Sequence, residues 1–183
     1  MARISQKRPL LNKILIFVEG PTESNYFEQL RQNKNISNAT VVKILNGQGD
    51  YVDKAEQQIK SFKKSFEINR KILVFDANHQ SNSNLQKLIT KAKSKGYEVA
   101  FSNTCFEVWL LSHFEKMTTG VIEEKKLCKK ITLHLKTKYK KADTNQLATI
   151  MSHINNAFTN TATINQVSFT RQSTNVGDII STL

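Results

Sequence analysis

Ile14-Leu15-Ile16-Phe17-Val18-Glu19-Gly20-Pro21-Thr22-Glu23 decides how the fold is read. The five apolar residues suit a strand covered on both faces, as in a parallel sheet flanked by helices. Gly20 and Pro21 supply a tight strand-to-helix turn, and Tyr26, Phe27 and Leu30 mark the helix that follows. A second apolar run, Ile72-Leu73-Val74-Phe75, ends in Asp76-Ala77-Asn78. Ligands of open α/β sheets gather outside the carboxyl ends of parallel strands, so Glu19, Glu23 and Asp76 are expected to meet in one crevice. Acidic strand ends brought together in this way are the pattern of a magnesium-dependent phosphoryl-transfer site.

Outward from these two runs, four strands are expected: Lys13 to Val18, Thr40 to Leu45, Lys71 to Phe75 and Glu98 to Phe101. Helical patterns lie between them. Val52, Ala55, Ile59, Phe62 and Phe66 recur every three or four residues, as do Leu85, Leu88, Ile89 and Ala92 before Gly96. Alternating β and α units predict a doubly wound, Rossmann-like, mainly parallel four-stranded sheet flanked by helices. Beyond it the pattern turns to helix only. Cys105 to Phe114 is apolar nearly all round and reads as a buried helix. Leu147, Ile150, Met151, Ile154 and Phe158 form one amphipathic stripe, opened by Asp143 with Gln146 as a capping box. Asn160 to Asn175, rich in Thr, Asn and Gln, reads as a mobile loop, and Val176, Ile179, Ile180 and Leu183 as a short docking helix. The expectation is one domain over 1–183, with an α/β core over 1–115 and a basic helical C-terminal extension over 116–183.

At 183 residues and 39% hydrophobic, the chain suffices for one full core. No stretch approaches the roughly 20 apolar residues of a membrane span, and the N-terminus lacks a signal-peptide pattern. A cytoplasmic protein is expected. Cys105 and Cys128 lack C-x-x-C spacing and are too few for a disulfide framework or a zinc site, so both are expected to be reduced and structural. The formal charge of +12, from 27 Lys and Arg against 15 Asp and Glu, suggests a polyanionic partner. Lys125, Lys126, Lys129, Lys130, Lys136, Lys138, Lys140 and Lys141 crowd the run from Glu123 to Lys141, which reads either as a solvated face or as a nucleic-acid track. With Tyr139 as its one aromatic, the run would contact mostly phosphates.

Each candidate residue has a plainer reading beside the functional one. Glu19 at the end of a buried strand needs either a cation or backbone N–H donors, and Glu23 in a first helical turn favours the helix dipole whether or not it binds metal. The turn lacks a P-loop's lysine and glycine spacing. Asp76 also suits a helix N-cap, Asn78 can lend a carbonyl oxygen to magnesium, and His79 reads as exposed. Thr104-x-x-Glu107 forms a capping box, His113 reads as a core histidine, and Gly47-Gln48-Gly49 makes a weak phosphate-binding turn.

Taken in order, Ile14 to Glu23 with Tyr26-Phe27, Val74-Phe75-Asp76, Cys105-Phe106-Glu107-Val108-Trp109-Leu110-Leu111, His113-Phe114-Glu115, Tyr139-Lys140-Lys141 and Ser173-Thr174-Asn175-Val176 resemble the RloB family over nearly the whole chain. That family looks like a branch of the TOPRIM superfamily, whose compact parallel sheet carries metal-binding acids at its strand ends. The resemblance implies a phage-defence protein similar to the TOPRIM effector of abortive infection, encoded beside an ATPase or restriction system. It makes Glu19 the TOPRIM glutamate, Glu23 the added acid of nuclease-like branches and Asp76 the first acid of an Asp-x-Asp motif. Asn78 departs from that motif, and Glu107 would compensate for the missing charge if its helix start faces the crevice. Two functions follow. One is a nuclease holding Mg²⁺ or Mn²⁺ on Glu19, Glu23, Asp76, Asn78 and Glu107, with Lys140 or Lys141 neutralising developing charge and Lys125, Lys126, Lys129, Lys130, Lys138 and Lys140 tracking RNA such as tRNA, or DNA. The other is a degenerate TOPRIM module that binds nucleic acid or a partner ATPase without cutting.

Overall fold

A computed structural model describes residues 11–43, 50–62, 65–77 and 80–183. Asn78, His79 and the Gly47-Gln48-Gly49 turn lie outside the described residues. The chain forms β1 (Leu11–Val18), α1 (Pro21–Asn33), β2 (Ala39–Lys43), α2 (Tyr51–Phe62), β3 (Phe66–Asp76), α3 (Asn82–Ser94) and β4 (Glu98–Asn103). There follow α4 (Glu107–Ser112), α5 (Glu124–Leu135), α6 (Thr144–Met151), α7 (Ile154–Asn160), β5 (Ser173–Thr174) and α8 (Val176–Ser181). This is an α/β fold whose sheet runs β2-β1-β3-β4-β5, parallel except for the antiparallel β4–β5 pair.

The period of two along the strands divides the core. Ile14, Ile16, Val18, Ile72 and Val74 pack beneath α1 and the C-terminal helices, while Leu15, Phe17, Leu73 and Phe75 face α2 and α3. Both faces are covered there, which is why Ile14 to Val18 of β1 and Ile72 to Phe75 of β3 are apolar throughout. The same division makes the crevice. β1 and β3 are neighbours in register, Val18 opposite Val74, yet the helix after β1 lies on one face and the helix after β3 on the other. The backbone parts at their carboxyl ends, the place where such sheets bind ligands.

Several expectations need correction. The sheet has five strands among the described residues, not four. The fifth comes from the segment read as a mobile loop: Ser173 and Thr174 pair with Asn103 and Ser102. Asn175 continues the ladder with its side chain, accepting from the Phe101 N–H at 2.7 Å and donating to the Val99 carbonyl at 2.8 Å. Polar side chains thus replace a strand backbone along the β4 edge. Phe66 belongs to β3 rather than to the preceding helix, because the chain turns at Ser65 and Phe66 pairs with Leu11.

The amphipathic stripe from Leu147 to Phe158 is two helices. Ser152 donates back to the Thr149 carbonyl at 2.7 Å and His153 N–H closes onto Ile150 at 3.0 Å, so α6 packs on α1 and α7 on α4. Asp143 does cap α6, accepting from the Asn145 and Gln146 N–H groups at 3.1 and 3.0 Å. The helix expected from Cys105 to Phe114 is shorter, Glu107–Ser112, and Thr104 does not cap it: the Thr104 hydroxyl donates to the Ile122 carbonyl at 3.2 Å. His113 is the expected core histidine, fully buried between the Tyr26 hydroxyl at 3.1 Å and the Trp109 carbonyl at 2.9 Å. The docking helix is α8, seated so closely that a Cβ on Gly177 would stand 3.1 Å from the Trp109 ring. Both cysteines are free, and among the described residues no helix is long and apolar enough to cross a membrane.

Candidate functional site

The turn after β1 sets the site. Gly20 caps α1 in extended conformation with Pro21 at the first helical position, which places Glu23 in the first turn, back against the strand end. A Cβ on Gly20 would lie 2.7 Å from a Glu23 carboxylate oxygen, so a side chain at position 20 would displace Glu23. Across the crevice Asp76 ends β3, and Glu107 opens α4. These residues line one cavity of about 210 Å³ together with Glu19, Cys105, Glu124 and Lys141. The structure therefore brings together Glu19, Glu23, Asp76, Glu107 and Lys141 from four separate stretches of chain, while Asn78 lies outside the described residues.

Burial makes these charges costly. Glu107 is 2% exposed and Glu23 8%, and carboxylates shut away from water resist ionisation unless something positive faces them. Burial, opposed by its own backbone N–H, and then the negative charges of Glu107 and Glu19 push Glu23 up to about 7 from 4.5. Asp76 is raised well above the ordinary carboxylate value by burial and by the charges of Glu19, Glu23 and Glu107, with the Phe106 N–H working the other way. Its Oδ1 is closed off from solvent and has no hydrogen-bond partner among the described residues. An acceptor oxygen without a donor among the described residues, in a cavity lined also by the carboxylates of Glu19, Glu23 and Glu107, fits a cation as its missing partner. No three His, Cys, Asp or Glu side chains among the described residues stand as a ready-made cage, so a cation would have to draw the carboxylates together.

The C-terminal extension supplies the other wall. Lys141 reaches Glu124 at 2.6 Å and Glu107 at 3.5 Å, half-exposed at the mouth above a buried Glu107. Burial lowers its proton affinity, but the Glu124 bond and the charge of Glu107 outweigh that and raise it, so the ammonium stays charged. The Tyr139 hydroxyl donates to Glu107 at 3.3 Å, and the Tyr51 hydroxyl to Glu19 at 2.7 Å. The loop bearing Tyr139 and Lys141 is fixed from several sides. Asn25 and Gln29 of α1 each donate at 2.7 Å to the Ala142 and Thr144 carbonyls. Gln146 accepts from the Lys140 N–H at 2.8 Å and donates to the Lys138 carbonyl at 2.9 Å. Tyr51, Glu124 and Tyr139 are site residues that the sequence reading did not single out. Tyr51 opens a helix with no motif around it, and Glu124 and Tyr139 sat within a run read for its lysines.

Those lysines are not equivalent. Lys125, Lys126 and Lys129 project from α5 into solvent while Leu127 and Ile131 pack inward, and Lys138 and Lys140 are exposed on the segment that leads to Lys141. Lys130 is tied to Glu115, which also holds His134 at 3.2 Å. The Cys105 thiol lines the cavity, and burial followed by the charge of Glu107 pushes it up, so it is a protonated wall and not a thiolate. The arrangement offers a cluster of hard oxygen donors in a crevice, a fixed ammonium at its mouth and an array of free cations outside. No curated protein and no solved structure is similar enough to the chain to count as a match. The family model described as RloB-like protein matches residues 14–183, from within β1 to Leu183, and the protein belongs to the RloB-like family.

Proposed function

We propose that this protein is a divalent-metal-dependent phosphodiesterase that acts on nucleic acid, RNA such as tRNA or DNA, as an effector in phage defence. What supports the reading is the meeting of Glu19, Glu23, Asp76 and Glu107 around one cavity in which the buried Asp76 Oδ1 has no partner among the described residues. Glu19, Glu23 and Asp76 would hold the ion, with Glu107 beside them and Asn78 as a further oxygen donor. Bound there, Mg²⁺ or Mn²⁺ would supply Lewis-acid stabilisation of the phosphoryl oxygens and lower the pKa of a coordinated water.

The remaining roles fall to the chain itself. The Tyr51 and Tyr139 hydroxyls orient the Glu19 and Glu107 carboxylates. Lys141, permanently charged, faces the mouth where a phosphate's negative charge would grow in the transition state. Lys125, Lys126, Lys129, Lys138 and Lys140 lead the strand to that mouth through contacts that read no sequence. The test is incubation of the full chain with labelled tRNA and plasmid DNA in Mg²⁺ or Mn²⁺. Metal-dependent cleavage that Glu19→Gln abolishes is expected, and wild type that neither binds metal nor cuts either substrate overturns the reading.

One observation favours a second reading. Lys141 already neutralises part of the cavity's charge, and among the described residues the carboxylates form no ready-made cage. This suits a module that binds nucleic acid or a partner ATPase and cuts nothing, and binding of nucleic acid or of an ATPase with no metal uptake and no cleavage is the outcome that selects it.

A further inference from the structure

Beside the acidic cavity lies a second recess of about 320 Å³, and the two share Cys105 and Glu124. We infer that it receives an unpaired nucleobase bearing an exocyclic amino group, while the adjoining phosphate sits over the acidic cavity. The inference rests on the nucleic-acid reading above and adds to it the part of the substrate that is recognised.

The lining decides the chemistry. Ala77, Leu85 and Phe169 form apolar walls, and Gln80, Asn82 and Asn103 bring carboxamides among them. An apolar recess with a few convergent polar groups is how proteins hold a flat heterocycle, and bases taken out of a stack are read by ring contacts plus hydrogen bonds to their edges. Among the described residues no lysine or arginine lines the recess, and the two charged residues that do, Glu123 and Glu124, are both acidic. A phosphate is excluded and an N–H donor is welcome. Asn103 commits its Nδ2 to the Arg171 carbonyl at 2.9 Å, which leaves its side-chain oxygen as an acceptor. Cytosine and adenine present an amino group to such acceptors, and uracil presents a carbonyl in its place.

Phe169 is held ready rather than ordered on binding. It is half-buried and meets Phe101 edge-on, ring centroids 5.7 Å apart at 87°. Its loop is fastened on both sides: the Ser168 N–H donates to the Ser173 hydroxyl at 3.1 Å, that hydroxyl donates to the Ser168 carbonyl at 2.9 Å, and the Ser168 hydroxyl accepts from the Arg171 N–H at 3.2 Å. A fixed aromatic wall loses little entropy when a ring packs on it. The polar stretch before β5 thus gains a purpose, which is to present Phe169 from the edge of the sheet.

The test measures fluorescence anisotropy of short labelled oligo(rC), oligo(rA) and oligo(rU) strands on the full chain, with Ca²⁺ in place of Mg²⁺, alongside titration with free CMP and AMP. Wild type is expected to bind oligo(rC) and oligo(rA) more tightly than oligo(rU). Phe169→Ala should weaken the first two about tenfold, the scale of one lost base–aromatic stack, and remove the preference. Asn82→Leu, at an exposed position, should weaken them without disturbing the core and serves if Phe169→Ala does not fold. Strands bound equally by wild type, with no effect of either substitution, would overturn the pocket and leave the nucleic-acid reading standing. Binding of CMP or AMP in a Phe169-dependent way, with no strand bound, would keep the pocket and overturn the nucleic-acid reading. Failure to bind both strands and mononucleotides would overturn the two together.

Discussion

Glu23 shows how the site strains the fold that holds it. With its proton affinity raised from 4.5 to about 7, the folded state keeps a proton between those values that the unfolded chain releases. Folding stability therefore falls as pH rises through that window and stays reduced above it. At 1.36 kcal/mol per unit the loss at pH 8 is about 3 kcal/mol. Glu23→Gln, which keeps the shape and removes the charge, is expected to stabilise the metal-free protein by up to that amount at pH 8 and hardly at all at pH 4. Urea denaturation of the two proteins at both values checks it. His113 acts with the opposite sign: burial lowers it from 6.5 to about 4, so its contribution is lost as pH falls from 6.5 towards 4. The two overlap in wild type, and the difference between wild type and Glu23→Gln isolates the carboxylate. A stabilising substitution at a buried carboxylate marks a residue retained for binding rather than for the fold.

Among the elements, the parts that packing dictates were legible and the parts that polar side chains build were not. The apolar runs at Ile14 and Ile72 and the spacings of Leu85 and Ala92 led directly to β1, β3 and α3, because hydrophobic period follows from which face is covered. The β5 edge was hidden: Ser173, Thr174 and Asn175 have the composition of a loop, and only the register with β4 turns them into strand. Asn175→Ala removes both side-chain bonds to β4 and leaves the Phe101 N–H without its acceptor. A loss of about 2 kcal/mol is expected, readable as a lower urea midpoint with unchanged slope. On α5 the geometry separates lysines that look alike in sequence. Neutralising Lys125, Lys126 and Lys129 together should reduce the salt dependence of nucleic-acid binding by up to three phosphate contacts, about 0.9 in slope for each on duplex DNA. Lys130→Gln should leave that slope nearly unchanged, because Lys130 is already paired with Glu115.

At the scale of the whole molecule, a chain of net charge +12 encloses a pocket of carboxylates. Such a surface would draw polyanions and such a centre would repel them, a contradiction that the proposed divalent cation would resolve. Sequence alone indicated Glu19, Glu23 and Asp76, since strand ends meet at the place where connections change sides. The far wall was less legible, because the segment bearing Tyr139 and Lys141 is held at the cavity in part by bonds from α1 to residues more than a hundred positions away, from Asn25 to Ala142 and from Gln29 to Thr144. The family match covers both walls of the cavity, running from within β1 to the last residue. The most direct measurement is calorimetric titration of Mn²⁺ and Mg²⁺ into wild type and Glu19→Gln, with the melting temperature followed in parallel. The account predicts metal binding that raises the melting temperature of wild type, as any ligand of the folded state must, and loss of both effects in Glu19→Gln. Wild type that takes up no metal at millimolar concentration, or a Glu19→Gln variant that binds metal as wild type does, would contradict it.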